Sequence, residues 1–229
     1  MRATAIIPVK RFGVAKQRLL EVLDRPSRAA LVKAMLTDVL AATTRAELVE
    51  RVIVVTGERR AERIALRHSQ RTAAPLEVLR DPQDAGHPEA ATLGIVRAKA
   101  LGAQCVALLP GDCPLLDPGE LDAALERMGS GRVTIVPDRH GTGTNALLVS
   151  PPDAIGPAFG PDSCARHTDR ARRLGHELAV EPLDSLGLDV DTPDDLAAMA
   201  EALERAPHRA PATAAELARL DWLRGNART

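Results

Sequence analysis

Apolar residues fall along this chain in two alternating rhythms. Short runs such as ATAIIPV (residues 3–9) and RVIVVTG (51–57) are dense in β-branched and small apolar residues, the pattern of strands buried on both faces. Between them, SRAALVKAMLTDVLAAT (27–43) sets Leu31, Met35 and Val39 beside Val32, Leu36 and Leu40, which predicts a helix with a broad apolar face and Ser27 as its N-cap. The same reading gives helices over 58–69 and 88–102 and strands over 76–81 and 104–112. The resulting order, βαβαβαβ, predicts an α/β three-layer sandwich around a mostly parallel sheet with right-handed crossovers.

Beyond residue 112 the alternation continues less regularly. Helices are predicted over 119–128 and 163–175, and strands over 132–138, 145–151 and 177–183. A closing helix over 192–206 carries Thr192 as N-cap and Pro193 at its first position. One domain is expected over 1–206. The segment 207–229, set off by Pro207 and Pro211, reads as a tail or short helix that packs either on the domain or on a partner.

Charge and composition narrow the partners. The 30 basic and 31 acidic residues leave a formal charge of −1, so no global field favours nucleic acid or an anionic membrane. Aromatic residues make up 1% of the chain, too few for base-stacking platforms. Every apolar run is broken well before the roughly 20 residues of a membrane span. Cys105, Cys113 and Cys164 form an odd set without C-x-x-C spacing, which points to a reduced, cytoplasmic protein acting on small molecules. A homodimer is compatible with all of this.

Ligands of open parallel sheets bind beyond the carboxyl ends of the strands, and three loops there carry chemistry. PVKRFGVAKQRL (8–19) gathers Lys10, Arg11, Lys16 and Arg18 around Gly13; it is neither a Walker nor a Rossmann loop, but its cations suit phosphates, whose charges repel strongly when brought together. LLPGDCP (108–114) ends a strand on Asp112, and LDVD (188–191) spaces Asp189 and Asp191 to point one way if extended. Three carboxylates with no His or Cys cluster suit Mg²⁺ rather than zinc. GTGTN (141–145) offers glycines that would let backbone N–H groups approach an anion, with the Thr142 and Thr144 hydroxyls as further donors. FGPDSC (159–164) places Gly160 and Ser163 at a helix start, where N–H groups favour anions. His140 and His167 are further candidate donors or plain surface residues. Cys113 adjoins Asp112, yet has no partner base to make it a nucleophile.

Taken in order, IIPVKRFGVAKQRL, LLPGDCPLLDP, PDRHGTGTNALLV, FGPDS and LDVDTPDDL resemble the phospho-carboxylate guanylyltransferases of coenzyme F420 biosynthesis, over about residues 3–200. The resemblance implies a nucleotide-diphospho-sugar transferase-like fold, GTP and Mg²⁺ as requirements, and transfer of GMP onto the phosphate of phosphoenolpyruvate, 2-phospho-L-lactate or 3-phosphoglycerate. It implies that Lys10, Lys16 and Arg18 hold the GTP phosphates and, with Asp112, form the catalytic set. Asp112, Asp189 and Asp191 would hold the metal, and Thr144, Gly160 and Ser163 the acceptor. Gly86 and Glu89 fall in the nucleotide segment. There this chain departs from the family pattern, with Pro88 and Glu89 in place of Leu and Asn; the Glu89 carboxylate can still accept from guanine N1–H and N2–H₂. A sugar-phosphate nucleotidyltransferase is disfavoured by the lack of a G-x-G-T-R loop. A non-catalytic nucleotide-binding module remains the rival of another class.

Overall fold

The computed structural model describes residues 1–13, 16–81 and 86–225. Its seven strands form one sheet in the order β3-β2-β1-β4-β6-β5-β7. The strands are β1 Ala3–Val9, β2 Val49–Thr56, β3 Leu76–Arg80, β4 Val106–Leu108, β5 Arg132–Pro137, β6 Thr144–Val149 and β7 Glu177–Val180. Strands β3, β2, β1 and β4 run parallel, as the βαβ alternation requires. The other half departs from that rule, because β6 lies antiparallel to both β4 and β5 while β5 and β7 are again parallel.

Alternation along each central strand feeds two cores. Ala5, Ile7, Val52, Val54, Ala107 and Leu148 pack into one, and Ile6, Ile53, Val55, Leu108 and Leu147 into the other. Helices α1 (Arg25–Thr43), α2 (Arg59–Ser69), α4 (Pro118–Glu126), α6 (Pro193–Arg205) and α7 (Pro211–Arg219) cover the first face. Helices α3 (His87–Ala100) and α5 (Ser163–Arg173) cover the second. Three layers result, as the pattern predicts. Helix α3 lies so close to the sheet that a Cβ at Gly94 would stand 2.3 Å from Ile6 Cγ2.

Local chemistry explains where helices begin, and in one case corrects the expected start. Helix α1 begins at Arg25 rather than after Ser27: Asp24 is the N-cap, its carboxylate accepting from the Ser27 N–H at 2.8 Å, with Pro26 in the first turn. A carboxylate cap also complements the helix dipole. At α6 the expected Thr192 cap is present, within a capping box shared with Asp195. The segment after Pro207 packs on the domain: Asp38 of α1 accepts from Ala212 N, Thr213 N and Thr213 Oγ1 at 3.1, 2.7 and 2.7 Å.

Candidate active site

The carboxyl ends of β1 and β4 and the beginning of β6 meet at one edge of the sheet. The first two follow from parallel pairing. The third follows from β6 being antiparallel: with Leu108 opposite Leu147, continuing the register brings Thr144 level with the turn that carries Asp112. A cleft of about 690 Å³ opens there, and Lys10, Arg18, Asp112, Thr144, Gly160, Ser163, Asp189 and Asp191 all line it.

Lys16 lines an adjoining pocket that shares Lys10, His87, Asp112 and Asp191 with the cleft; its side chain is only 6% exposed, with Nζ against an Asp112 carboxylate oxygen and 2.5 Å from Asp191 Oδ1. Burial works against its charge, but the two carboxylates outweigh burial and hold the ammonium above the ordinary lysine range. The same contact acts in reverse on Asp112: burial favours the acid form, and Lys16 overrides it, keeping the carboxyl below its usual value. The Lys16 backbone is left-handed, at φ 55°, strain of a kind that collects at functional sites. Neighbouring bonds pin the loop: Phe12 N–H donates to Glu58 Oε2 at 3.2 Å, and Arg28 Nη2 donates to Gly13 O at 3.1 Å.

Asp189 and Asp191 share this cleft, but from an irregular segment ahead of α6 rather than from the strand expected for LDVD. Burial, then the negative charges of Asp112 and Asp191, raise the Asp189 carboxyl above its usual value. Asn145 reaches it: Nδ2 donates to Leu186 O at 2.6 Å and lies 3.4 Å from Asp189 Oδ1. Among the described residues no group of three or more His, Cys, Asp or Glu is gathered tightly enough to hold a metal ion as it stands. Asp112 and Asp191 instead meet Lys16, with Asp189 near them, and the three charges exceed its one. That surplus of hard oxygen donors fits a magnesium ion entering with substrate phosphates, which characteristically supply much of its shell.

The structure brings Thr144, Gly160 and Ser163, the residues expected to hold the acceptor, to the same cleft. Within GTGTN the backbone turns around Asp138. Thr142 N–H donates to Asp138 Oδ1 at 2.9 Å, and Gly143 leaves room for that carboxylate, since a Cβ there would lie 2.7 Å from Asp138 Oδ2. His167 is no surface residue but is fully buried, whereas His140 is exposed on the rim. Cys113 is buried, and burial raises its thiol well above its usual range, which removes it as a nucleophile.

The nucleotide segment divides differently. Gly86 is the N-cap of α3 at φ 137°, a conformation open to glycine. The Glu89 carboxylate folds back toward Gly86, close to where a Cβ would stand, and neither residue lines the cleft; residues 82–85, which also belong to this segment, lie outside the described residues. His87, which the sequence reading passed over, does line it. Burial takes its pKa down to about 4, so it stands there neutral. Its ring meets Phe159 edge-on at 4.8 Å, and Phe159 meets His167 likewise at 5.2 Å.

The fold is nucleotide-diphospho-sugar transferase-like. A solved structure from Desulfovibrio desulfuricans G20 named for that class superposes with a TM-score of 0.74 at 20% identity, covering 97% of each chain. Residues 3–201 match the family model described as guanylyl transferase CofC like, and the chain belongs to that family. A protein of Conexibacter woesei named phosphoenolpyruvate guanylyltransferase is 47% identical over 203 residues, 88% of either chain. One of Phenylobacterium zucineum named 3-phospho-D-glycerate guanylyltransferase is 38% identical over 196 residues, 84% of this chain and 87% of the other.

Proposed function

We propose that this protein transfers GMP from GTP onto the phosphate of phosphoenolpyruvate, releasing pyrophosphate, at the step its family resemblance implies in coenzyme F420 biosynthesis. The observation that carries the reading is one cleft that gathers Lys10, Arg18, the three carboxylates and Thr144, Gly160 and Ser163, with Lys16 held against Asp112 and Asp191 beside it. The relatives named above support the nucleotide, and the greater identity of the Conexibacter protein favours phosphoenolpyruvate over 3-phosphoglycerate. Among the described residues no helix is long and apolar enough to cross a membrane, in keeping with the cytoplasmic setting we assign.

An oxygen of the acceptor's phosphate attacks the α-phosphorus of GTP as the bond to pyrophosphate breaks. That oxygen is already ionised near neutral pH, so the chain need supply no general base. The neutral His87 and the unreactive Cys113 fit that economy. The work left to the protein is alignment and charge neutralisation. Lys10 and Arg18 would meet the phosphates in the cleft, and Lys16, in the adjoining pocket, would meet them once they compete with Asp112 and Asp191 for its N–H groups. Asp112, Asp189 and Asp191 would hold a magnesium ion, which when bound offsets the charge building on the departing pyrophosphate.

Pyrophosphate release from GTP and Mg²⁺, followed with each of the three phospho-acids in turn, tests this. Release is expected with phosphoenolpyruvate, and Asp112→Asn is expected to lower it by roughly 100-fold or more. GTP binding without release from any of the acids would favour a binding module, and full activity of the variant would remove Asp112 from the machinery.

A further inference from the structure

The two ring nitrogens of His167 face partners with unlike needs. Nε2 lies 2.8 Å from the backbone nitrogen of Ala158, and Nδ1 lies 3.0 Å from Thr144 Oγ1. A backbone N–H can only donate, so Nε2 must present its lone pair. A neutral imidazole then carries its single proton on Nδ1 and gives it to Thr144. An imidazolium would set Nε2–H against the Ala158 N–H. Burial, with Arg170 and Arg166 nearby, resists that form as well and takes the pKa down to about 4. Turning the ring over would put carbon atoms where both hydrogen bonds now run, and the edge of Phe159 packs against it at 5.2 Å.

The consequence falls on Thr144. Its oxygen already accepts from His167, so its own proton is left for the cleft that it lines with Gly160 and Ser163. Under the opposite tautomer the hydroxyl would spend its proton on Nδ1 and turn a lone pair toward the cleft, where an anion would be repelled. On the reading that this end of the cleft receives the phospho-acid, we infer that His167 is a positioning residue: held as the Nδ1–H tautomer by Ala158, it fixes the Thr144 hydroxyl as a donor toward the anionic acceptor. His167 itself touches no substrate. It acts on specificity, favouring an ionised carboxylate or phosphate at Thr144 over any group that must donate.

Two measurements test this. In the full-length protein labelled with ¹⁵N-histidine, two-bond ¹H–¹⁵N correlations should show a neutral His167 protonated on Nδ1, unchanged between about pH 6 and pH 8; an Nε2–H tautomer overturns the proposal. In steady-state kinetics, His167→Phe should raise the acceptor KM roughly tenfold while the GTP KM stays within about twofold. His167→Asn, whose amide N–H can stand where Nδ1–H does, should recover most of the loss. The pair Thr144→Val and His167→Phe should be no worse together than Thr144→Val alone. Additive losses, or equal changes in both KM values, would show that His167 does not act through Thr144. The tautomer is read without turnover, so a protein that transfers no GMP would fail the functional reading while the spectrum still decides this one.

Discussion

Lys16 and His167 show opposite answers to the cost of burying a titratable group. Lys16 keeps its charge because two carboxylates meet it, whereas His167 gives its charge up because burial, with Arg170 and Arg166 nearby, opposes it. The second answer makes stability depend on pH. Below about pH 6.5 an unfolded chain protonates this imidazole, while the folded ring stays neutral to about pH 4. Across that window the unfolded state binds more protons, so stability falls as the pH drops through it and is level above it. The loss approaches about 3 kcal/mol from this one ring, and the neutral His87 adds to it in the same direction. Urea midpoints measured from about pH 8 down to pH 4.5 should therefore slope less steeply in His167→Gln than in the native protein; parallel slopes would contradict the assignment. At this scale the sequence was legible where charge stood at strand ends. Lys10, Arg18 and Asp112 could be picked out because ordinary core positions do not carry them, whereas the acceptor role of Thr144, Gly160 and Ser163 rested on the family resemblance. His87 and Asn145 could not, since a histidine ahead of Pro88 reads as a helix start and an asparagine after GTGT as a turn. Their roles come from Phe159 and Asp189, distant in the chain.

Among the elements, α3 shows how far packing can oppose propensity. Alanine is the better helix former by about 1 kcal/mol, yet Gly94 faces Ile6 Cγ2 and Val55 Cγ2 so closely that a Cβ would lie 2.3 and 3.2 Å away. Gly94→Ala should destabilise the protein by about 1–3 kcal/mol despite the gain in propensity, seen as a lower denaturation midpoint at unchanged slope. Because α3 begins at the cleft with His87, any outward shift should also raise the GTP KM. A neutral or stabilising result would mean that α3 can slide freely on the sheet. Most elements were legible, since period-2 and period-3.6 patterns alternate clearly through β4. Boundaries were less so. The α1 pattern begins at its apolar residues, but the cap that starts the helix is Asp24, outside that pattern. LDVD has strand periodicity yet forms no strand, because its carboxylates and Asn145 hold it as an irregular segment.

The whole molecule is less modular than its sequence suggested. The segment after Pro207, which the sequence left free to pack on the domain or on a partner, is built into the same core as α1 through Ala210, Ala214 and Leu217 and through the three hydrogen bonds to Asp38. No local pattern could reveal this, because Asp38 lies among the apolar positions of a helix formed far earlier in the chain. Deleting residues 207–229 should remove a buried leucine and strand a buried carboxylate, together costing about 3–6 kcal/mol. A truncated protein with an unchanged melting temperature would return the segment to the status of an appendage. The reversal of β6 was hidden for a related reason: alternation tells which face a residue takes, and not which way its strand runs.

That reversal has an evolutionary consequence. On the proposed function, the cations that would face phosphate hang from strands joined by helical crossovers, so altering them disturbs the middle of the fold. The residues that would hold the acceptor hang instead from the β5–β6 hairpin and the helix that follows it. Exchanging one small acid for another then becomes a local edit, made at one hairpin and one helix with the nucleotide chemistry left untouched. A lineage built this way can change what it labels without relearning how to label.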